Sequence, residues 1–215
     1  LVNIFIQYAK IRKICYTIPI FAKKIVILCQ NSCFLKMSVV KIKDKTFKTS
    51  ISQEEIQKRI KEVAAQINED MADKNPLFLG VLNGAFIFAA DLLREITIPC
   101  EISFVKLASY QGIMSTGKVK EVMGINEDLT GRTIIIIEDI VDTGRTMKQM
   151  IESLGTRNPA AVHICALFLK PDKLQEPIDV DYACFSIPND FIVGYGLDYD
   201  QQGRNLKEIY TLVEE

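Results

Sequence analysis

The chain has 215 residues, 48% of them hydrophobic and 25% charged, the composition of a folded globular protein rather than a disordered or fibrous one. Lys and Arg number 26 against 27 Asp and Glu, a formal net charge of -1, so no global positive field recruits nucleic acid and no nucleic-acid partner is expected. The six cysteines form no CxxC pair; a chain of this length builds a core without disulfide staples, and they read as reduced thiols of a cytoplasmic protein.

The charge is unevenly spread. Residues 1–37 carry six basic and no acidic side chains, which leaves 20 basic and 27 acidic residues in 38–215, a net of −7. None of the uncharged runs in this leader reaches the roughly 18 residues that a spanning helix needs, so no membrane partner is expected. The leader also lacks a small-residue cleavage site and is poor in Ser and Arg, unlike a targeting peptide. The reading adopted is that 1–37 is extraneous, an over-extended start ahead of Met37, and that 38–215 forms one domain.

Ser52 with Glu55 three residues later makes a capping box. Ile56, Ile60, Val63, Ile67 and Met71 follow at helical spacing, which predicts an amphipathic helix from about Gln53 to Met71. Leu77 to Leu82 is an apolar run of strand length that stops at Asn83-Gly84; Ala85 to Arg94 then reads as a helix and Glu101 to Ala108 as a strand. Ser109 to Lys120 is polar, without apolar periodicity, and reads as a mobile segment. Thr133 followed by four isoleucines, Ile134 to Ile137, fits a central strand buried on both faces of a parallel sheet. Gly144 to Leu154 carries Met147, Met150, Ile151 and Leu154 at helical spacing, with Gly155 as its stop. Ala161 to Leu169 is the next strand; Tyr182 to Ser186 and Ile192 to Tyr195 are short strands among prolines. This alternation predicts an α/β fold, a doubly wound, mostly parallel sheet flanked by helices.

In such a sheet, ligands bind beyond the carboxyl ends of the strands. Behind the isoleucines comes Glu138-Asp139-Ile140-Val141-Asp142-Thr143-Gly144-Arg145-Thr146. Thr143, Gly144, Arg145 and Thr146 offer backbone N–H groups and two hydroxyls at the positive end of a helix, which suits a phosphate dianion. Glu138 and Asp139 are acceptors suited to a vicinal diol or to Mg²⁺. Most acids and threonines at a helix start merely cap it. Capping needs only one such side chain, however, and three carboxylates this close repel one another unless a cation or hydroxyls share the site. The pattern describes a ribose 5-phosphate cradle. GxxxxGK[ST] is absent, and Gly194-Tyr195-Gly196 is not completed to GxGxxG because Tyr199 holds the last position, which argues against an NTPase or a dinucleotide enzyme. The sole histidine, His163, falls on a predicted buried strand and reads as structural, against a triad or a zinc site.

The run IIIIEDIVDTGRT resembles the phosphoribosyl-pyrophosphate signature of the type I phosphoribosyltransferases. Leu79 to Ala85, Leu107-Ala108-Ser109-Tyr110 with Ser115-Thr116-Gly117, and Pro188 to Asp198 narrow the resemblance to the purine-salvage members of that family, over roughly Val39 to the C-terminus. The resemblance implies that family's fold, with a small hood formed by the C-terminal segment and part of the N-terminal segment. It implies an enzyme that moves the 5-phosphoribosyl group from phosphoribosyl pyrophosphate to N9 of hypoxanthine, and of guanine, releasing diphosphate with Mg²⁺. It also implies a direct displacement, through an oxocarbenium-like transition state.

Position by position, Leu82, Asn83 and Gly84 match the diphosphate-binding loop, with a non-proline cis peptide expected between Leu82 and Asn83. Arg204 matches a diphosphate-contacting cation, and Ser109 and Tyr110 match the tip of a closing lid. Glu138, Asp139, Thr143, Gly144, Arg145 and Thr146 match the phosphoribosyl and 5′-phosphate site. Asp142 matches the proton carrier beside purine N7, although alone it would read as the N-cap of a helix beginning at Thr143. Lys170 matches the donor to the 6-oxo group, although alone it would read as a solvated lysine. Phe191 matches the ring that stacks on the base, and Ile192 the carbonyl facing its N1 edge or exocyclic amine. Glu138, Asp139 and Asp198 match the Mg²⁺ site. The resemblance further implies a homodimer or homotetramer. The rival readings are a relative with another base, such as xanthine, a pyrimidine-responsive RNA-binding regulator, and a non-enzymatic nucleotide-binding module. The −7 charge of 38–215 speaks against RNA.

Overall fold

The computed structural model describes residues 38–108 and 120–213. The leader, the segment read as mobile from Ser109 onward, and the lid residues Ser109 and Tyr110 lie outside the described residues.

A six-stranded sheet forms the body, in the order β5-β4-β3-β6-β7-β8. Its strands are β3 (Leu77–Leu82), β4 (Glu101–Ala108), β5 (Lys120–Met123), β6 (Thr133–Val141), β7 (Ala161–Leu169) and β8 (Tyr182–Ser186). All neighbours pair in parallel except β5, which runs antiparallel to β4 at the edge. The four isoleucines explain why β6 is central. Ile135 and Ile137 face one core with Phe78, Phe88 and Ile60, while Ile134 and Ile136 face the other with Met147, Met150 and Leu154. Burying each is worth about 1.5–3 kcal/mol, which commits this segment to a position with apolar cover on both sides.

Helices α1 (Gln53–Asp70) and α2 (Phe86–Glu95) cover the first face, and α3 (Arg145–Gly155) the second. The expected capping box closes the start of α1: Ser52 Oγ accepts from Glu55 N, and the Glu55 side chain accepts from Ser52 N. From β3 the chain crosses through α2 to β4 on one side, and from β6 through α3 to β7 on the other. The crevice where strand order reverses therefore lies between the carboxyl ends of β3 and β6, the place such sheets offer to a ligand.

The second sheet is antiparallel, in the order β1-β2-β10-β9: β1 (Val39–Ile42), β2 (Lys45–Ile51), β9 (Ile192–Val193) and β10 (Ile209–Leu212). It joins an N-terminal segment to the C-terminal one, as the expected hood requires, around Ile42, Phe47, Val193 and Tyr210. The strand expected to run from Ile192 to Tyr195 ends at Val193. Positive φ at Gly194 (104°), Tyr195 (50°) and Gly196 (103°) turns the chain there, which extended backbone cannot follow.

Candidate active site

At the carboxyl end of β3 the peptide between Leu82 and Asn83 is cis. The next residue, Gly84, is packed so closely that a methyl there would occupy the volume of the Asp139 carboxylate, whose Oδ1 would lie 3.1 Å away. Gly196 approaches from the hood, and a methyl on it would fall on the Gly84 carbonyl, with the carbonyl carbon at 3.2 Å. The Gly196 carbonyl in turn accepts from Arg204 Nη1 at 2.8 Å, while Arg204 Nη2 lies 2.6 Å from Asp198 Oδ1. Three segments distant in sequence are thus held together by two glycines that leave no room for a side chain.

Strand β6 runs four residues beyond the isoleucines, to Val141. The acids Glu138 and Asp139 are therefore strand residues, facing different neighbours. Glu138 lines a cavity of about 290 Å³ together with Thr143, Gly144 and Thr146. Asp139 lines a second cavity of about 540 Å³ together with Lys170, Phe191 and Asp198. Ile140 and Asp142 line both.

Gly144, at φ 78°, is the N-cap of α3, and no side chain caps the helix. Asp142 is thus not a helix cap, and α3 begins at Arg145 rather than Thr143. The amides of Arg145, Thr146 and Met147 have no intrahelical acceptor, as in any first turn; that of Arg145 has only a long contact, 3.5 Å, to Thr143 Oγ1. Gly155, expected as the stop, is the last helical residue.

Glu138 is 8% exposed, and its Oε2 has no hydrogen-bond partner among the described residues. Burial, reinforced by the neighbouring Asp139 charge, pushes its carboxyl well above the ordinary 4.5. A raised carboxyl stabilises the fold fully below its unfolded value and loses that contribution as pH rises through the folded one. Glu138→Gln, permanently neutral, is therefore expected to gain on the wild type with rising pH. The melting-temperature difference, variant minus wild type, should become more positive between about pH 5 and pH 8 in metal-free buffer. A difference that stays flat over that interval would count against a buried anion.

Lys170 is 7% exposed, and its Nζ donates to the Asp190 carbonyl at 2.8 Å. It is not the solvated lysine that its sequence context alone suggests; burial lowers its pKa, opposed by the Asp142 charge. Phe191 is 45% exposed and packs edge-on against Tyr199 with centroids 5.9 Å apart. Its carbonyl accepts from Leu212 N at 2.9 Å. Successive carbonyls in an extended strand alternate in direction, so that of Ile192 points away from β10. Asp142 Oδ2 pairs with Lys173 Nζ at 2.6 Å, while its Oδ1 is buried without a partner among the described residues.

The structure therefore brings Glu138, Asp139, Asp142, Thr143, Gly144, Thr146, Lys170, Phe191, Ile192 and Asp198 to two adjoining cavities, and Leu82 to the first of them. Asn83 and Arg145 are exposed and line neither, and Arg204 is engaged by Gly196 and Asp198. Asp198 reaches the second cavity already paired with Arg204 and accepting from Gln201 N. Sequence reasoning missed Lys173 and the tight contact at Gly196. Lys173 follows a proline in a short charged turn and carries no pattern, whereas two glycines two residues apart at a strand end did signal a close approach. His163 is half-buried rather than fully buried; Nδ1 meets Asp181 at 2.7 Å, and Nε2 has no partner among the described residues.

Residues 50–200 match the phosphoribosyl transferase domain family. The chain is 43% identical over 169 residues to the hypoxanthine-guanine phosphoribosyltransferase of Streptococcus agalactiae, covering 78% of this chain and 94% of the relative. The same identity and coverage hold for that of Streptococcus mutans. Among solved structures it is similar to a hypoxanthine-guanine phosphoribosyltransferase of Bacillus anthracis, at a TM-score of 0.73 and 37% identity over 77% of this chain and 96% of that one. A hypoxanthine phosphoribosyltransferase of Staphylococcus aureus superposes with the same TM-score at 36% identity, over 77% of this chain and 90% of that one. With the signature at the end of β6, the reversal of strand order beside it and a family match over most of the chain, this protein belongs to the phosphoribosyltransferases.

Proposed function

We propose that this enzyme transfers the 5-phosphoribosyl group from phosphoribosyl pyrophosphate to N9 of hypoxanthine and guanine, the reaction for which its relatives are named. The observation that carries the reading is the position of Asp142, common to a cavity built on a helix start and a cavity built on a buried lysine and an exposed ring. The first suits a 5′-phosphate, held by the first-turn amides of α3 and the hydroxyls of Thr143 and Thr146. The second suits a 6-oxopurine, with Lys170 donating to O6, Phe191 stacking on the ring and the Ile192 carbonyl accepting at its N1 or amino edge. The ribosyl carbon then lies between them. Its bond to diphosphate breaks as the bond to N9 forms, and the purine proton passes to Asp142. The amides of Leu82 to Gly84 and the Arg204 guanidinium face the departing diphosphate.

Mg²⁺ fits the acids present. No three His, Cys, Asp or Glu among the described residues cluster as a metal cage. Mg²⁺, however, is usually held by one or two carboxylates plus substrate phosphates, and Glu138 and Asp139 offer adjacent acids of which one has an unpartnered buried oxygen. Asp198 would join them by releasing Arg204. When bound, the ion neutralises charge developing on the diphosphate.

A cytoplasmic setting accords with the described cysteines, Cys100, Cys165 and Cys184, all of which are free. No described helix is long and apolar enough to cross a membrane. A homodimer or homotetramer is the assembly that the family resemblance implies. The deciding experiment is a panel of hypoxanthine, guanine and xanthine with phosphoribosyl pyrophosphate and Mg²⁺, following nucleotide by absorbance and released diphosphate separately, on the full chain and on one beginning at Met37. Nucleotide formation from the first two bases is expected. Diphosphate release without nucleotide, or no turnover with any base, would overturn the reading.

A further inference from the structure

The segment after β7 does more than carry Lys170. It is fastened to the phosphate turn along its length. Lys170 N donates to the Val141 carbonyl at 3.0 Å, and Gln175 N to the Thr143 carbonyl at 3.0 Å. Lys148 of α3 pairs with Glu176 at 2.7 Å. Leu174 and Ile178 close over Gly144, where a methyl would meet them at 3.3 and 3.0 Å. At the centre of this brace, in the short helical turn Pro171–Lys173, Lys173 reaches back 2.6 Å to Asp142 Oδ2.

We propose that Lys173 is a positioning residue: by holding Oδ2 it fixes the orientation of the Asp142 carboxylate at the edge of the cavity that suits the base. This rests on the proposed function above, in which Asp142 takes the purine proton. An aspartate side chain has a broad, nearly two-fold terminal torsion, so without a partner on one oxygen either could turn toward the base or away from it. The ordinary alternative is a surface ion pair of little consequence, worth about 0–1 kcal/mol. Three features argue otherwise. Both side chains are about two-thirds buried, at 37% and 34% exposure. The free oxygen of Asp142 is buried rather than hydrated. The backbone on either side of Lys173 is bonded to the two residues flanking Asp142, Val141 and Thr143, so the lysine is delivered to a fixed place. Lys170, three residues earlier, shares the cavity but is engaged by the Asp190 carbonyl instead, which separates base recognition from alignment of the proton acceptor.

The test is a double-mutant cycle on the full chain. Lys173→Met is expected to lower kcat about tenfold with KM for hypoxanthine and phosphoribosyl pyrophosphate held within about threefold, while Lys173→Arg restores turnover to within about threefold of wild type. In an Asp142→Asn background, Lys173→Met should cost no more than about a further twofold, because nothing remains to be positioned. A merely structural lysine would give the same loss in both backgrounds, and that additivity, or undiminished kcat in Lys173→Met, would overturn the proposal while leaving the activity standing. A wild-type enzyme making no nucleotide would instead overturn the function on which it rests.

Discussion

Replacing Asp142 by asparagine is expected to lower turnover about 10²- to 10⁴-fold, the usual contribution of a positioned acid or base, without unfolding the protein. Asparagine keeps the shape and one acceptor oxygen but cannot take the purine proton at neutral pH. The expectation of a retained fold is specific to this structure. Had Asp142 capped α3, its loss would cost the helix about 1 kcal/mol; with Gly144 as N-cap and no side-chain cap present, that penalty does not arise. What is lost is one charge of a partly exposed ion pair with Lys173, so the melting temperature should stay within about 3 °C. Steady-state rates with hypoxanthine over a range of phosphoribosyl pyrophosphate concentrations, beside a thermal melt, check both halves. Turnover within about threefold of wild type would remove Asp142 from the proton path.

How much of this was legible in the sequence differs from element to element. Long, strongly periodic or continuously apolar segments spoke plainly: the helix behind Ser52, the isoleucine strand and the strand from Ala161 all form within a few residues of expectation, because burial alone dictates them. Of the hood strands only the one at Ile192 stands out in the sequence; the others are implied only by the family resemblance. In β2 the sequence KTFKTSI buries just Phe47 and Thr49, between exposed Lys48 and Ser50, and two buried positions give almost no period to count. β5, with the sequence KEVM, is shorter still. The isoleucines mark β6 only as far as Ile137; that it continues through Glu138 and Asp139 to Val141 is not marked by any apolar run, and the acids are carried there because the strand end opens into two cavities. Within the site, the acids and the Gly turn were visible as chemistry. Lys170 and Phe191 were visible only through family resemblance, since a lysine before a proline and a phenylalanine before two aliphatics are commonplace. Lys173 could not be seen at all: its partner is 31 residues away, and only the fold brings the two together.

Two glycine substitutions should separate geometry from stability at the other end of the site. In Gly196→Ala the new methyl falls on the Gly84 carbonyl, a backbone atom at the end of β3, and φ at this position is 103°, where an L side chain is strained in its own right. Neither fault can be relieved by a rotamer change, so the turn and the loop of Leu82 to Gly84 must part. A loss of about 2–3 kcal/mol is expected, lowering the melting temperature about 5–10 °C for a domain of this size. With diphosphate held at that loop, as proposed, turnover should fall about 10²-fold as the loop shifts by a fraction of an ångström or more. In Gly84→Ala the obstacle is instead the Asp139 carboxylate, the tip of a side chain that can rotate away at the cost of the hydrogen bond its Oδ1 accepts from Ile140 N. Stability should then fall by only about 1 kcal/mol, the worth of that hydrogen bond, while the role proposed for Asp139 at the ribose and the metal predicts a fall in turnover. Melting curves and rates measured side by side decide the matter. If Gly196→Ala melts like wild type, the close approach of hood and sheet is not what holds the diphosphate loop; if Gly84→Ala turns over like wild type, Asp139 has no part in the reaction.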